Sequence, residues 1–332
     1  EFFKTIKLPN KIKFENSIDL NNFYLDWSEL EVTGMKKLAH FEIAGLFINY
    51  LNQDDTKWIS KFGLSSENLD FNGGIKSVFK IKDRYFAYVA YVKKNCAFAS
   101  IFEFPLGIKQ LDFPCIKFED SEIDLNLIGG AFLKLSDGKH ILSTGTPTST
   151  SQKVRELAQD DNSPYGKILE LYFDNNNQLN YSIFSKGHRN PQGIYLSEKN
   201  VISVEHGPKG GDEVNLLFKG KNYGWPLTSL GSNYDLTEIS KSTFFNKIET
   251  EVPLFSFVPS IGISTINSCP KMYLEYYSPL KCIAVGSLVG TSIFLILIDE
   301  NYTRVLNYER LKFTNRIRKF YFINNTLIAG TD

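Results

Sequence analysis

The residues best suited to chemistry lie within 187–226. This stretch opens with Gly187-His188-Arg189-Asn190-Pro191-Gln192-Gly193. Proline between two carboxamides fixes the backbone, so the Arg189 guanidinium and the amides of Asn190 and Gln192 can converge on one planar, acidic ligand. Taken alone, the same residues suit an arginine paired with a loop carboxylate and amides that cap turns. After a short apolar strand comes Glu205-His206-Gly207-Pro208. Its Gly-Pro turn can present successive main-chain carbonyls, the kind of oxygen that hard cations such as calcium take. Asp212 and Glu213 follow, with Tyr223 beyond. By spacing alone, a metal site and a solvated acidic turn fit these residues equally.

Tight turns on a rigid scaffold are needed to hold such groups together. Short runs of aromatic and β-branched residues at 75–81, 85–92 and 97–104 read as strands. Runs 128–135 and 140–144 flank Asp137-Gly138, a strong hairpin signal. Pairs 166–173 with 179–184, 294–298 with 303–308, and 318–323 with 326–330 repeat the pattern. Strands are also expected at 2–6, 12–18 and 27–32, while 35–51 suits either a helix or two strands parted at Gly45. Many short strands and few helical stretches predict an all-β fold. For one 332-residue domain a six-bladed β-propeller fits best, with blades of about 55 residues. Residues 1–70 are its least legible part. Stretches 145–162 and 226–256 are then long loops projecting from one face.

Lys and Arg together number 37, as do Asp and Glu, giving zero net charge. This excludes the basic excess that nucleic-acid binding demands. No apolar run approaches the ~20 residues of a membrane span. The chain opens at Glu1 without a signal-peptide pattern or a Met, as a mature or trimmed product would. Cys96, Cys115, Cys269 and Cys282 lack the spacing of a zinc site. They suit buried free thiols, or one or two disulfides if the compartment is oxidising.

Residues 187–226 resemble the signature of the soluble quinoprotein glucose dehydrogenases and aldose sugar dehydrogenases, the glucose/sorbosone dehydrogenase family. The resemblance runs from about Asn72 to Asp332. It includes Ala158-Gln159-Asp160, Ser163-Pro164-Tyr165-Gly166-Lys167-Ile168-Leu169, Gly286-Ser287-Leu288, Glu309-Arg310-Leu311 and Arg316-Ile317-Arg318. It implies a six-bladed propeller, periplasmic or secreted, that binds pyrroloquinoline quinone (PQQ) through calcium and acts on a sugar, with a homodimer compatible. By the same resemblance, Arg189, Asn190 and Gln192 contact the quinone, and Arg316 and Arg318 anchor its carboxylates. The carbonyls of Gly207 and Pro208 hold the bridging calcium, and Glu213 and Tyr223 match positions tied to a second one.

The departures fall on the opposite wall. The family places its catalytic histidine just before Gly-Gly-Arg, where this chain reads Asn126-Leu127-Ile128-Gly129-Gly130-Ala131. The base position is therefore Leu127, and leucine accepts no proton. Ala131 replaces the arginine, Val289 stands where members carry a lysine, and a glutamine expected near Asn72-Gly73-Gly74 is absent. His206 is the nearest substitute base. Two expectations result: a PQQ- and calcium-dependent sugar dehydrogenase, or a non-catalytic propeller binding a sugar, glycan or protein.

Overall fold

Aromatic and β-branched runs broken by tight turns favour antiparallel hairpins. The computed structural model describes residues 56–104, 106–118, 123–239, 249–323 and 326–331, and there the hairpins form five antiparallel sheets. The first holds β1 (Gly74–Ile81), β2 (Arg84–Lys93), β3 (Cys96–Phe104) and β4 (Ile108–Asp112), with β5 (Ile116–Lys117) also paired to β3. The second holds β6 (Gly129–Lys134), β7 (His140–Thr144), β8 (Lys167–Phe173) and β9 (Leu179–Lys186). The third holds β10 (Pro191–Ser197), β11 (Asn200–Glu205), β12 (Asp212–Leu217) and β13 (Phe255–Phe257). The fourth holds β14 (Ile263–Ser268), β15 (Lys281–Ser287), β16 (Ser292–Ile298) and β17 (Val305–Lys312). The fifth is the hairpin of β18 (Ile317–Ile323) and β19 (Thr326–Thr331).

The first strands of successive sheets lie side by side, β1 with β6, then β10, β14 and β18. Meander sheets repeated in this way are propeller blades. The all-β expectation therefore holds, with five blade sheets among the described residues. The elements expected at 2–6, 12–18, 27–32 and 35–51 lie outside them.

Apolar side chains between sheets hold the blades together. Phe79, Phe86, Tyr88, Leu142 and Leu169 pack between the first and second, and Ile202, Val204, Ile283 and Val285 between the third and fourth. Phe79 of β1 stacks on Phe132 of β6 with ring centres 4.2 Å apart. Of the two cysteine readings, the structure takes the disulfide: Cys96–Cys115 in the first sheet and Cys269–Cys282 in the fourth. The expected strand at 303–308 begins later, at Val305. The Asp299 carboxylate accepts the main-chain N–H groups of Thr303 and Arg304 at 2.6 and 3.0 Å, holding those residues in the turn. Stretch 145–162 is not wholly irregular, since it contains the short helix α2 (Gln152–Glu156), which follows α1 (Thr56–Lys61). A third helix, α3 (Lys271–Tyr276), links β14 to β15. Among the described residues no helix is long and apolar enough to cross a membrane.

Every inner strand is irregular near its start. Extra residues interrupt the pairing at Lys76 in β1, Gly130-Ala131 in β6, Gln192 in β10, Ser264 in β14 and Arg318 in β18. A bulge twists the strand and re-aims the side chain it carries. Contacts between neighbours put these bulges at one level. Gly130 packs on the Lys76 side chain, the Gly129 N–H donates to Asn190 Oδ1 (3.1 Å), and Ser264 Oγ donates to the Ile317 carbonyl (2.6 Å).

Candidate functional site

Residues 187–226 fold as β10, β11 and β12 with the turns at their ends. Gly187 has φ +78°, and a Cβ there would lie 2.2 Å from Asn222 Oδ1, so only glycine fits. Asn222 and Gln159 exchange amide hydrogen bonds of 2.8 and 3.1 Å, and Gln159 Nε2 also donates to the Trp225 carbonyl at 2.6 Å. Trp225 Nε1 donates to Thr146 Oγ1 at 3.0 Å. Loop 145–162 is thereby tied to the 222–226 turn.

Glu205 is the hub behind the site. Its carboxylate, only 3% exposed, accepts the Arg189 N–H (2.9 Å) and Asn215 Nδ2 (2.9 Å), and faces His188 Nδ1 at 3.1 Å. A carboxylate only accepts, so Nδ1 carries the proton. Nε2 pairs with the Ser185 hydroxyl at 2.8 Å, and the ring stacks on Tyr223, with centres 4.7 Å apart. His188 is thus a packed positioning group.

With its main chain fixed there, Arg189 sends its guanidinium over the Trp225 indole at 5.4 Å, and Nη1 donates to the His206 carbonyl at 3.0 Å. Arg155 approaches the same indole at 5.6 Å and donates to the Ser149 carbonyl and, at 2.8 Å, to Asn233 Oδ1. Both arginines are 4% exposed, and the Nε of each is buried without a partner. Among the described residues neither has a carboxylate in ion-pair contact. Burial, with each cation repelling the other, presses the Arg189 pKa below its ordinary value. Asp212 and Glu205 act on Arg189, and Asp235 on Arg155, only from beyond ion-pair distance, so two buried guanidiniums without a direct carboxylate partner fit an anionic, planar ligand.

Asn190 and Gln192 are brought together but turned toward each other. Gln192 Nε2 donates to Asn190 Oδ1 at 2.8 Å, and Asn190 Nδ2 reaches the Asn126 carbonyl at 3.4 Å. The two amides tie this loop to the segment carrying Leu127. Arg318 is exposed at the bulge of β18, and Arg316 is exposed just before that strand. Arg318 lies close enough to His206 to help lower its pKa. That pKa falls to about 4, mainly through burial, with Arg189 adding to the effect. A neutral imidazole of this kind holds a proton weakly at pH 7.

The Gly207-Pro208 turn is held from below. Asp212 Oδ1 accepts the Gly207 N–H (3.0 Å), and its Oδ2 accepts those of Ile261 and Ile263 (both 3.0 Å). Among the described residues no main-chain N–H donates to the Gly207 or Pro208 carbonyl. The Tyr223 phenol is already placed between the Leu216 carbonyl (2.7 Å) and the Phe218 N–H (2.8 Å), so only its main-chain oxygen is available. Among the described residues no three His, Cys, Asp or Glu side chains gather as a metal cage. A calcium ion held at this turn would therefore rest on main-chain carbonyls.

Glu213 stands opposite Glu205 across β11 and β12, and Asn215 Nδ2 donates to both carboxylates. Burial first, then repulsion from Glu205, pushes the Glu213 pKa up to about 8. A raised carboxyl keeps its proton in the folded state after the unfolded chain has lost it. Stability therefore falls as pH rises from about 4.3 toward that value. At pH 7 in chelator, Glu213→Gln should raise the melting temperature by roughly 2–5 °C. Added calcium should stabilise the parent and not the variant. A variant that melts lower than the parent in chelator would contradict this electrostatic account.

The opposite wall is rebuilt in apolar residues. Leu127 is half-buried in a 3₁₀ turn (Leu125–Leu127) whose Asp124 cap accepts the Asn126 N–H at 3.0 Å. Ala131 packs with Ile141, Ile168 and Phe184 in an apolar cluster, and Val289 is exposed. Arg155 carries no motif of its own, though it lies in the long loop 145–162, three residues before Ala158-Gln159-Asp160. Glu205, Asn215 and Lys76 were likewise unassigned; their roles depend on register and bulges that no local motif marks.

Comparison with known proteins places this geometry among others. The family model described as Glucose / Sorbosone dehydrogenase matches residues 119–326, well over half of the chain. The aldose sugar dehydrogenase of Escherichia coli is 37% identical over 122 residues, 33% of this chain and 33% of that protein. Quinoprotein glucose dehydrogenase B of Acinetobacter calcoaceticus is 36% identical over 88 residues, 24% of this chain and 18% of that one. The chain spans less than half the length of the curated relatives it matches. A crystal structure of glucose dehydrogenase shares the fold with TM-score 0.63 at 23% identity, over 78% of this chain and 80% of that one.

Proposed function

The chain belongs to the glucose/sorbosone dehydrogenase family, and on that premise we propose that it is a quinoprotein sugar dehydrogenase. In this reading one face of a six-bladed, single-domain propeller binds PQQ through calcium and oxidises an aldose or related sugar alcohol by hydride transfer. The observation that carries the reading is the pair of buried arginines, Arg155 and Arg189, beside Trp225 with no carboxylate in ion-pair contact among the described residues. PQQ is a planar tricarboxylate, and bound PQQ would supply the two-electron acceptor.

The chain's own residues bind and orient. Arg189, held through its main chain by Glu205, meets the quinone side. Asn190 and Gln192 shape the loop beneath it, and Arg316 and Arg318 supply cations on the rim. The Gly207 and Pro208 carbonyls take the bridging calcium, with Glu213 and the Tyr223 carbonyl for a second ion. Two disulfides support a periplasmic or secreted location.

A second reading, a propeller that binds a sugar, glycan or protein without catalysis, is favoured by one observation. The base position is Leu127, and Ala131 faces an apolar cluster. Reconstitution separates the two. Purified protein given PQQ and calcium should show a bound-quinone absorption band and reduce a redox dye when aldoses are added. A band without dye reduction leaves the binding reading; no band overturns the quinoprotein reading.

A further inference from the structure

Among the five inner strands, two of the bulged residues, Gln192 and Arg318, are ones that the proposed function assigns to the cofactor. The equivalent residue of the first sheet is Lys76. Ile75 pairs with Val89 and Ser77 with Tyr88, so Lys76 is the extra residue, free of the ladder and re-aimed by the bulge. It borders the segment that lost its histidine. Its side chain packs on Gly130, the N–H of the preceding Gly129 donates to Asn190 Oδ1 at 3.1 Å, and Leu127 lies two residues before Gly129.

We propose that Lys76 is the proton acceptor for the sugar hydroxyl, in place of the histidine absent at position 127. This rests on the dehydrogenase reading above. The free amine Nζ takes the hydroxyl proton, forming N–H as O–H breaks. The carbon-bound hydrogen leaves with both C–H electrons to the quinone, and the C–O bond becomes C=O. One substrate is oxidised by two electrons and one quinone is reduced by two.

The local setting suits that task. Nζ donates to the Asn72 carbonyl at 2.6 Å, which aims the nitrogen and leaves its lone pair for a substrate. Burial lowers the Lys76 pKa to about 8, and Asp124 offsets part of that fall. Asp124 is the one charged group among the described residues that bears on this titration. Its carboxylate is itself held by Asn72 Nδ2 (2.9 Å) and the Asn126 N–H (3.0 Å). From β6 the surface facing Lys76 is Gly130, which carries no charge. A base with a pKa near the working pH is the efficient kind.

The test compares reconstituted wild type with Lys76→Met and Lys76→Arg. In wild type, kcat/KM should rise with pH through a midpoint near 8. Both variants should lose that rise and about 100-fold or more in kcat, with PQQ affinity and melting temperature retained; Lys76→Arg keeps the charge, guarding against misfolding. Added ethylamine should partly rescue Lys76→Met. Independently of activity, acetylation of Lys76 in the cofactor-free protein, followed by mass spectrometry, should titrate with the same midpoint. If wild type reduces dye and Lys76→Met keeps its kcat and pH profile, the inference falls while the dehydrogenase reading stands. Loss of PQQ affinity instead of kcat would make Lys76 a binding residue and also overturn it. Wild type that reduces no dye overturns both.

Discussion

Replacing Glu205 by alanine should destabilise the protein by about 3–5 kcal/mol, the cost of breaking a buried charged network by removing one partner. Three donors converge on this carboxylate: the His188 ring, the Arg189 N–H and the Asn215 amide. Alanine would leave the His188 ring N–H and the Arg189 N–H buried without an acceptor, and the Asn215 amide with Glu213 alone. It would also release Arg189 from the strand that aims it. The melting temperature should drop by roughly 10 °C. Glu205→Gln, which keeps an acceptor oxygen but presents N–H groups to other donors, should fall between. Chemical denaturation measures the loss directly. A change under about 1 kcal/mol, the range of ordinary surface substitutions, would mean that the Glu205 network does not hold the site.

The second large effect is expected on binding. Arg189→Ala should weaken PQQ binding about 100-fold, since a charge-assisted contact contributes about 1.5–3 kcal/mol and its loss leaves an anion facing Trp225. Arg189→Lys should recover only part, because an ammonium has no planar fork. The apoprotein variants should keep their folds, as the Glu205 carboxylate bonds the main-chain N–H of residue 189 and not its side chain. Equilibrium titration of PQQ in the presence of calcium gives the comparison. Unchanged affinity in Arg189→Ala would refute the placement of the ligand over this arginine.

Much of the fold was legible because local chemistry and global structure agree. Asp137-Gly138 lies between β6 and β7 as expected, and the Asn-rich turn after Phe173 joins β8 to β9. Strand boundaries were less legible where side chains compete for the backbone, as Asp299 does before β17. The binding half of the site was readable because its residues are close in sequence. The paired arginines were not, since Arg155 and Arg189 meet only when loop 145–162 is tied to Trp225 through Gln159 and Thr146. Tyr223 shows a different limit: the family resemblance marks its position for metal binding, but its phenol is spent inside the turn 216–223. Lys76 was hidden for a third reason. In an unbroken strand it is one more polar residue beside Ser77, and only the bulge distinguishes it. The departures at Leu127 and Ala131 were plain from the sequence; Leu127 is half-buried and Ala131 packs in an apolar cluster.

The central claim is that residues 187–226 form a calcium-assisted site for an anionic quinone. Titration of the wild-type protein with PQQ, in calcium and then in chelator, tests it most directly. Saturable binding of one PQQ per chain, strong with calcium and weakened by chelator, is the predicted result. Absence of saturable binding with calcium present would contradict it.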